Sequence, residues 1–116
     1  MSQLLNLLAQ VLSSGRNRDE GTHSMAMTTY YRTRDGQADY RFSIERQTDG
    51  TYKTFILSQP NYGSRATGAH ETHRLTAGGR YYVCWDRPLH SEEEAKNVAA
   101  LWADATQAYI KSGQRF

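Results

Sequence analysis

The sequence has a single cysteine, two prolines and no long apolar run. Cys84 has no second cysteine with which to form an internal disulfide. A membrane-spanning helix needs about 20 consecutive apolar residues, and no signal-peptide pattern is present. We therefore expect a reducing, cytoplasmic setting and no membrane partner.

The sequence also has little excess of one charge sign over the other. The formal net charge is only +2, which by itself does not imply a polyanionic partner. Lysine is rare, because eleven of the fourteen basic residues are arginine. Arginine makes forked hydrogen bonds and stacks on aromatic rings, so this bias favours specific contacts over diffuse attraction.

The chain nevertheless has enough apolar material to fold. Hydrophobic residues make up 38% of the 116 residues, and the aromatic ones are eight Tyr, three Phe and two Trp. A chain of this length buries roughly two-thirds of its unfolded surface in one core, and division would leave each half marginal. We expect one domain over residues 1–116 with a modest core.

The first fourteen residues have the pattern of a short amphipathic helix. Ser2 is a suitable N-cap, and Gly15 suits the C-terminal end. The apolar positions that recur at helical spacing are Leu4, Leu5, Leu7, Leu8, Val11 and Leu12. This face predicts either docking on the rest of the chain or a homodimer through Leu4, Leu8 and Val11. Residues 15–24 are polar and contain glycine, which is typical of a connector.

Residues 25–58 predict a three-stranded antiparallel meander. Asp35-Gly36 and Asp49-Gly50 lie between β-rich runs, and Asp-Gly suits the positive φ angles of tight turns. A two-residue first turn pairs Arg32 with Asp39. The core face of the first two strands then has Met27, Thr29, Tyr31, Tyr40, Phe42 and Ile44. The outer face has Tyr30, Arg32, Asp39, Arg41 and Ser43.

The facing of the third strand depends on the second turn. A two-residue turn at Asp49-Gly50 predicts that Phe55 and Leu57 join the core face. The residues that would then face outward are Tyr52, Thr54 and Ile56. A longer turn would invert this strand.

The remaining elements are a loop, a second hairpin and a helix. The loop runs from Ser58 to about Ala69, and the hairpin strands cover 72–76 and 80–86 around Gly78-Gly79, which completes a sheet over 25–86. Ser91 and Glu94 form a capping box for a helix over 91–112. Its apolar face has Ala95, Val98, Ala99, Trp102, Ala105 and Tyr109. The predicted fold class is α+β: an antiparallel sheet of about five strands, a short N-terminal helix and a longer C-terminal helix packed on one face.

The outer face of the sheet is the first candidate site. Its residues are Tyr30, Arg32, Arg41 and Tyr52, extended by Tyr62 and Arg65 of the loop. Aromatic rings interleaved with guanidinium groups can stack bases and bind phosphates. Tyr and Arg are also ordinary solvent-facing sheet residues, and Asp39 can neutralise Arg32, so a purely structural role is the alternative.

The segment from His70 to Arg74 is the second candidate site. Glu71 and His73 suit acid-base catalysis, and Arg74 suits stabilisation of phosphorane charge, as in a metal-independent ribonuclease. In architecture alone the arrangement resembles bacterial ribonuclease toxins, which place such residues on an antiparallel sheet beside N-terminal helices. Ordinary cross-strand pairing explains the same residues without catalysis.

Other chemistries have weaker support in the sequence. Cys84 opposite His73 would still lack two further metal ligands. Cys84 is predicted inside an apolar strand, where a thiol is usually buried and unreactive. Residues 61–68 have two glycines but not the lysine of a phosphate-binding loop. We expect no metal site and no cofactor.

The meander and the later helix opening Ser91-Glu-Glu-Glu-Ala resemble the arm-type DNA-binding domains of phage integrases, whose sheet enters the major groove. The matching patterns are short, and residues 58–86 add a loop and a hairpin outside them. The resemblance implies nucleic-acid contact through Arg32 and Arg41.

The sequence therefore predicts a small accessory protein that binds nucleic acid, or a protein on nucleic acid, through the Tyr/Arg face. The first alternative is a protein-protein inhibitor or adaptor of the kind that phages and plasmids encode, for example against a bacterial defence complex. The second is the ribonuclease. Binding without catalysis is the expected role.

Overall fold

The computed structural model describes residues 26–116. Its elements in chain order are β1 (Ala26–Arg32), β2 (Asp39–Arg46), β3 (Tyr52–Ser58), α1 (Ala69–Thr72), β4 (Arg74–Ala77), β5 (Arg80–Val83) and α2 (Glu92–Ser112). The predicted N-terminal helix, the connector over 15–24 and the predicted homodimer contact through Leu4, Leu8 and Val11 lie outside the described residues.

The five strands form one antiparallel sheet in the order β1-β2-β3-β5-β4. The C-terminal helix α2 packs across β1, β2 and β3. The α+β fold class is therefore confirmed, with α2 on one face of the sheet. We call that side the inner face and the opposite side the outer face.

The first hairpin has the predicted register. Arg32 lies opposite Asp39, Tyr30 opposite Arg41 and Thr29 opposite Phe42. The turn itself is longer than the predicted two residues: Thr33 N donates to Ala38 O and Gly36 N donates to Thr33 O, so residues 34–37 form the loop, in which Gly36 has φ 72°. A loop two residues longer closes the same strand pairs, so the register is unchanged. The side chains of Thr29, Tyr31, Tyr40, Phe42 and Ile44 are buried as predicted.

The provisional facing of β3 is wrong, because the second turn is one residue longer than two. Gln47 N donates to Thr51 O, and Gly50 N donates to Gln47 O, so three residues form the loop. Asp49 Oδ1 accepts hydrogen bonds from the amide and the hydroxyl of Thr51, which fixes this longer turn.

A register shift of one residue exchanges the two faces of a strand. Ile44 therefore lies opposite Thr54, and Ser43 opposite Phe55. Thr54, Tyr52 and Ile56 face α2 or the core, whereas Phe55 lies on the outer face. Leu57 lies at a β-bulge opposite the Arg41/Phe42 step and is 38% exposed, so it does not join the core.

The second hairpin is shorter than predicted. Ala77 lies opposite Arg80, and Gly78 and Gly79 both have positive φ angles, as expected for a two-residue turn. Residue 72 belongs to α1, so β4 begins at Arg74. β5 ends at Val83 rather than at 86, although Cys84 N still donates to His73 O at 2.8 Å.

The capping of α2 is confirmed. Ser91 Oγ accepts from Glu94 N at 3.0 Å, and Glu94 Oε1 accepts from His90 N at 2.9 Å. Gly113 ends the helix with φ 82° and donates its amide to Tyr109 O. The three glutamates in the first turn also interact favourably with the helix dipole.

The core is centred on Trp102 of α2, which is 2% exposed. Its indole ring makes edge-on contacts with Tyr40 and Phe42, with centroids 5.9 and 6.0 Å apart. Its Nε1–H donates to the main-chain oxygen of Thr72 at 3.0 Å. One side chain thus joins α2 to β2 and to α1, and the prediction that Trp102 is a core residue is confirmed.

We predict that Trp102→Phe lowers the free energy of unfolding by about 2 kcal/mol, because it leaves the buried Thr72 carbonyl unpaired and opens a void. Trp85→Phe is the matched control, since Trp85 is 36% exposed and should lose under about 1 kcal/mol. Urea unfolding followed by circular dichroism measures both, and equal losses would contradict the central role of Trp102.

Candidate functional site

The outer face at β1 and β2 presents an exposed tyrosine beside an exposed arginine. Tyr30 is 69% exposed and lies directly opposite Arg41 in the antiparallel pair. Within residues 26–116, neither side chain forms a hydrogen bond, an ion pair or a ring contact with another residue. Both groups are therefore available to a ligand.

Arg32 lies on the same face but is already engaged. Its guanidinium pairs with Asp39 at 3.0 Å and also donates to Gly36 O at 3.0 Å. Both side chains of the pair are more than half exposed, so water screens the pair and its contribution to stability is small. The expected neutralisation of Arg32 by Asp39 is confirmed, and Arg32 is a weaker candidate than Arg41.

The outer face at β3 and β5 carries cations that lie over aromatic rings. The Arg80 guanidinium carbon is 3.7 Å from the centroid of Phe55, and Lys53 Nζ is 5.1 Å from that of Tyr82. Arg80 also makes a two-pronged ion pair with Glu45 at 2.8 and 3.0 Å. Sequence reasoning missed this set, because it depended on the facing of β3 that the longer turn reverses.

Three predicted members of the outer-face site lie elsewhere. Tyr52 packs against the core on the inner side. Tyr62 is 8% exposed, with its ring 6.1 Å from that of Tyr109. Arg65 donates to the main-chain oxygens of Ile110 and Lys111 at the end of α2. Because these loop residues pack on α2, their predicted place beside Tyr30 and Arg41 is wrong.

The groups of the second candidate site are each bound to a different neighbour. Glu71 pairs with Arg115 at 3.1 Å. The Arg74 guanidinium carbon lies 3.7 Å from the ring centroid of Tyr81 and 4.9 Å from that of Tyr62.

His73 is engaged as well. Its Nε2 is 2.6 Å from the main-chain oxygen of Phe116, and since an oxygen of this kind can only accept, Nε2 carries the proton. The rings of His73 and Phe116 are 4.4 Å apart. These contacts give Glu71, His73 and Arg74 structural roles, and the ribonuclease remains a prediction.

A second feature missed by sequence reasoning is a cavity of about 500 Å³ between α2 and the chain that leaves β5. Cys84 is half-buried in its wall rather than buried within an apolar strand, because β5 ends one residue earlier. Both tryptophans of the protein also line it.

A metal site and a membrane-spanning helix are both absent from the part of the chain that the structure describes. No group of three or more His, Cys, Asp or Glu side chains there is arranged to hold a metal ion. None of the helices in that part has the length and apolarity needed to span a bilayer.

Comparison of the chain with known proteins gave no match among family models, curated proteins or solved structures. The resemblance to the arm-type integrase domains therefore gains no support from these comparisons, and the argument for function depends on the geometry of the site.

Glu45 makes the outer face sensitive to acid. The hydrogen bonds from Arg80, and then that from Ser43, hold the pKa of Glu45 below its ordinary value of 4.5, although partial burial opposes them. Because the pKa of Glu45 is lower in the folded state, the ionised carboxylate stabilises the fold. This stabilisation is complete when the pH is above the ordinary pKa, and it is lost as the pH falls through the lowered pKa.

We predict that Glu45→Gln lowers Tm at pH 7 and that the difference from the wild type shrinks below about pH 4. Asp39→Asn is the control, because its exposed ion pair should contribute little at any pH. Thermal melts from about pH 3 to about pH 7 test this, and a difference that stays constant over that range would be inconsistent with the Arg80–Glu45 pair as the cause.

Proposed function

We propose that this protein is a non-enzymatic binding protein that contacts single-stranded nucleic acid through Tyr30 and Arg41. The observation that supports the proposal is their direct cross-strand pairing, with the Tyr30 ring 69% exposed and both side chains free of described partners. A ring of this kind can stack one base, and a neighbouring guanidinium can bind the adjoining phosphate.

The charge of the whole outer face supports the same proposal. Four cationic side chains, Arg32, Arg41, Lys53 and Arg80, share this face with two carboxylates, Asp39 and Glu45. The surplus is positive although the protein as a whole has a net charge of only +2. Moderate, salt-dependent attraction to a phosphate chain follows.

Unpaired nucleotides fit this face better than a duplex does. Stacking needs an accessible ring, and among the outer-face aromatic residues Phe55 and Tyr82 are covered by Arg80 and Lys53. Tyr30 can therefore receive one base whose faces are not already occupied by neighbouring bases. The Tyr82 ring helps to hold Lys53 in place, where its charge can attract a further phosphate, whereas the charge of Arg80 is already paired with that of Glu45.

We predict that Tyr30→Ala weakens binding of a fluorescein-labelled single-stranded oligonucleotide by roughly 5-fold to 100-fold, because the variant loses the stacking of one base. Arg41→Gln should also weaken binding and reduce the slope of log Kd against log salt by about 1. Both residues are exposed, so Tm should change little. Fluorescence anisotropy at several salt concentrations measures both effects.

Arg46→Gln is the matched control. Arg46 lies in the same strand, is exposed and has the same charge, but it is on the opposite side of the pleat from Arg41. Affinity close to wild type is expected for this variant. Equal losses for Arg41→Gln and Arg46→Gln would show that only net charge matters, and no binding by the wild type would favour the protein-partner alternative.

The ribonuclease alternative makes a separate prediction. Because Glu71, His73 and Arg74 are each held by other residues, we expect no cleavage of single-stranded RNA in EDTA at high protein concentration. Cleavage that His73→Ala abolishes, detected on a denaturing gel, would reverse this expectation and make the segment an active site.

A further inference from the structure

The cavity between α2 and the end of β5 lies on the opposite side of α2 from the first hairpin, and the outer-face proposal does not use it. We call it the tryptophan cavity, and its walls are formed by Trp85, Trp102, Leu101, Phe116, His73 and Cys84. Its volume of about 500 Å³ lies within the 300 to 1,000 Å³ range of typical small-molecule sites. The lining is largely aromatic and aliphatic.

The wall formed by Trp102 is held in place by contacts on its far side. Trp102 is fixed by the rings of Tyr40 and Phe42 and by its hydrogen bond to Thr72. Because its only donor is already used and the residue is 2% exposed, Trp102 offers the cavity a small, apolar part of its ring. An apolar wall that is already in place needs little rearrangement when a ligand binds, so little binding free energy is lost.

His73 is held in an unusual backbone conformation at the opposite wall. With φ 53° it is the one non-glycine residue between 26 and 116 that has a positive φ angle. His73 ends α1 as its C-cap, a position where the left-handed conformation is common, and its amide donates to Ala69 O. The imidazole lies against the Phe116 ring at an interplanar angle of 36°, and the two rings together form one wall of the cavity.

The charges around the cavity favour a neutral occupant. Among the described residues no lysine or arginine lines it, so none of their cationic side chains is there to pair with an anion. Asp86 lies at the mouth, but its side chain is 83% exposed and lies 3.7 Å from Arg87, so it supplies little negative charge to the interior. The Trp85 indole N–H has no acceptor within the described part of the chain and can donate one hydrogen bond.

We propose that the tryptophan cavity binds a small neutral aromatic molecule that carries one hydrogen-bond acceptor. The aromatic walls hold its ring by stacking and edge-on contacts. The free N–H of Trp85 orients it through the acceptor. This binding is independent of nucleic-acid contact at Tyr30 and Arg41, which are on the outer face.

The two tryptophans provide a direct test, because both line the cavity. Benzyl alcohol is the probe, and the indole N–H signals of the ¹⁵N-labelled protein are the readout. Both signals should shift and saturate. Cyclohexylmethanol has a similar size and hydroxyl but no aromatic ring, and should bind about 2-fold to 10-fold more weakly.

Three outcomes of this titration would overturn the proposal. The absence of a saturable shift with benzyl alcohol would show that the cavity does not bind such a molecule. Equal affinity for cyclohexylmethanol would show that aromatic character is not recognised. Tighter binding of benzyltrimethylammonium would show that the cavity selects a cation through Asp86.

Two alanines of α2 give a matched pair of variants. Ala105 lines the tryptophan cavity, whereas Ala108 lines a separate groove beside Asp104, and both are half-buried. Ala105→Leu should fill the cavity and reduce benzyl alcohol affinity by at least about 5-fold, whereas Ala108→Leu should leave it unchanged. Equal effects of the two variants would contradict the assigned position.

A measurement on the unaltered protein avoids any doubt about folding of the variants. Cys84 is the sole cysteine and lies in the cavity wall. Saturating benzyl alcohol should therefore slow the reaction of the Cys84 thiol with a thiol reagent at least about 3-fold, by restricting access to the thiolate. An unchanged rate at saturation would place the bound probe elsewhere.

Discussion

The position of Trp102 is the constraint on which the rest of the described structure depends. Its ring lies against Tyr40 and Phe42 at the centre of the inner face, and its N–H pairs with Thr72. The first contact sets α2 across the meander. The second holds α1 and the start of β4 against the same helix. The sheet, α1 and the C-terminal helix therefore meet at one residue, while the contacts of Arg65 with the end of α2 fix the loop.

This constraint assigns different roles to the two sides of the sheet. The inner face is covered by α2. Asp104 of this helix strengthens the contact by accepting hydrogen bonds from the Tyr31 hydroxyl and from the Arg34 amide. No element between residues 26 and 116 covers the outer face at Tyr30 and Arg41. Space is left beside α2 near the end of β5, where the tryptophan cavity lies, and in the separate groove beside Asp104. The two proposed binding sites therefore lie on separate surfaces of one small fold.

The parts of this fold that local signals determine could be predicted from the sequence. The Asp35-Gly36 turn gave the register of the first hairpin, and the Ser91 to Glu94 box gave the start of α2. The facing of β3 could not be settled, because it depends on whether the second turn has two or three residues. Tyr62 and Arg65 were misplaced for another reason: a loop that packs on α2 leaves no periodic pattern. The cavity arises from packing between distant segments, which no local pattern contains.

If the proposed function is correct, the outer face binds nucleic acid and the inner face supports it. Backbone amide chemical-shift mapping during titration with a short single-stranded oligonucleotide tests this most directly, because it reports every surface at once. We expect the shifted amides to cluster in β1 and β2 around Tyr30 and Arg41, and the amides of α2 to stay unchanged. Shifts concentrated along α2 or in the segment from Ala69 to Arg74, with β1 and β2 unaffected, would contradict it.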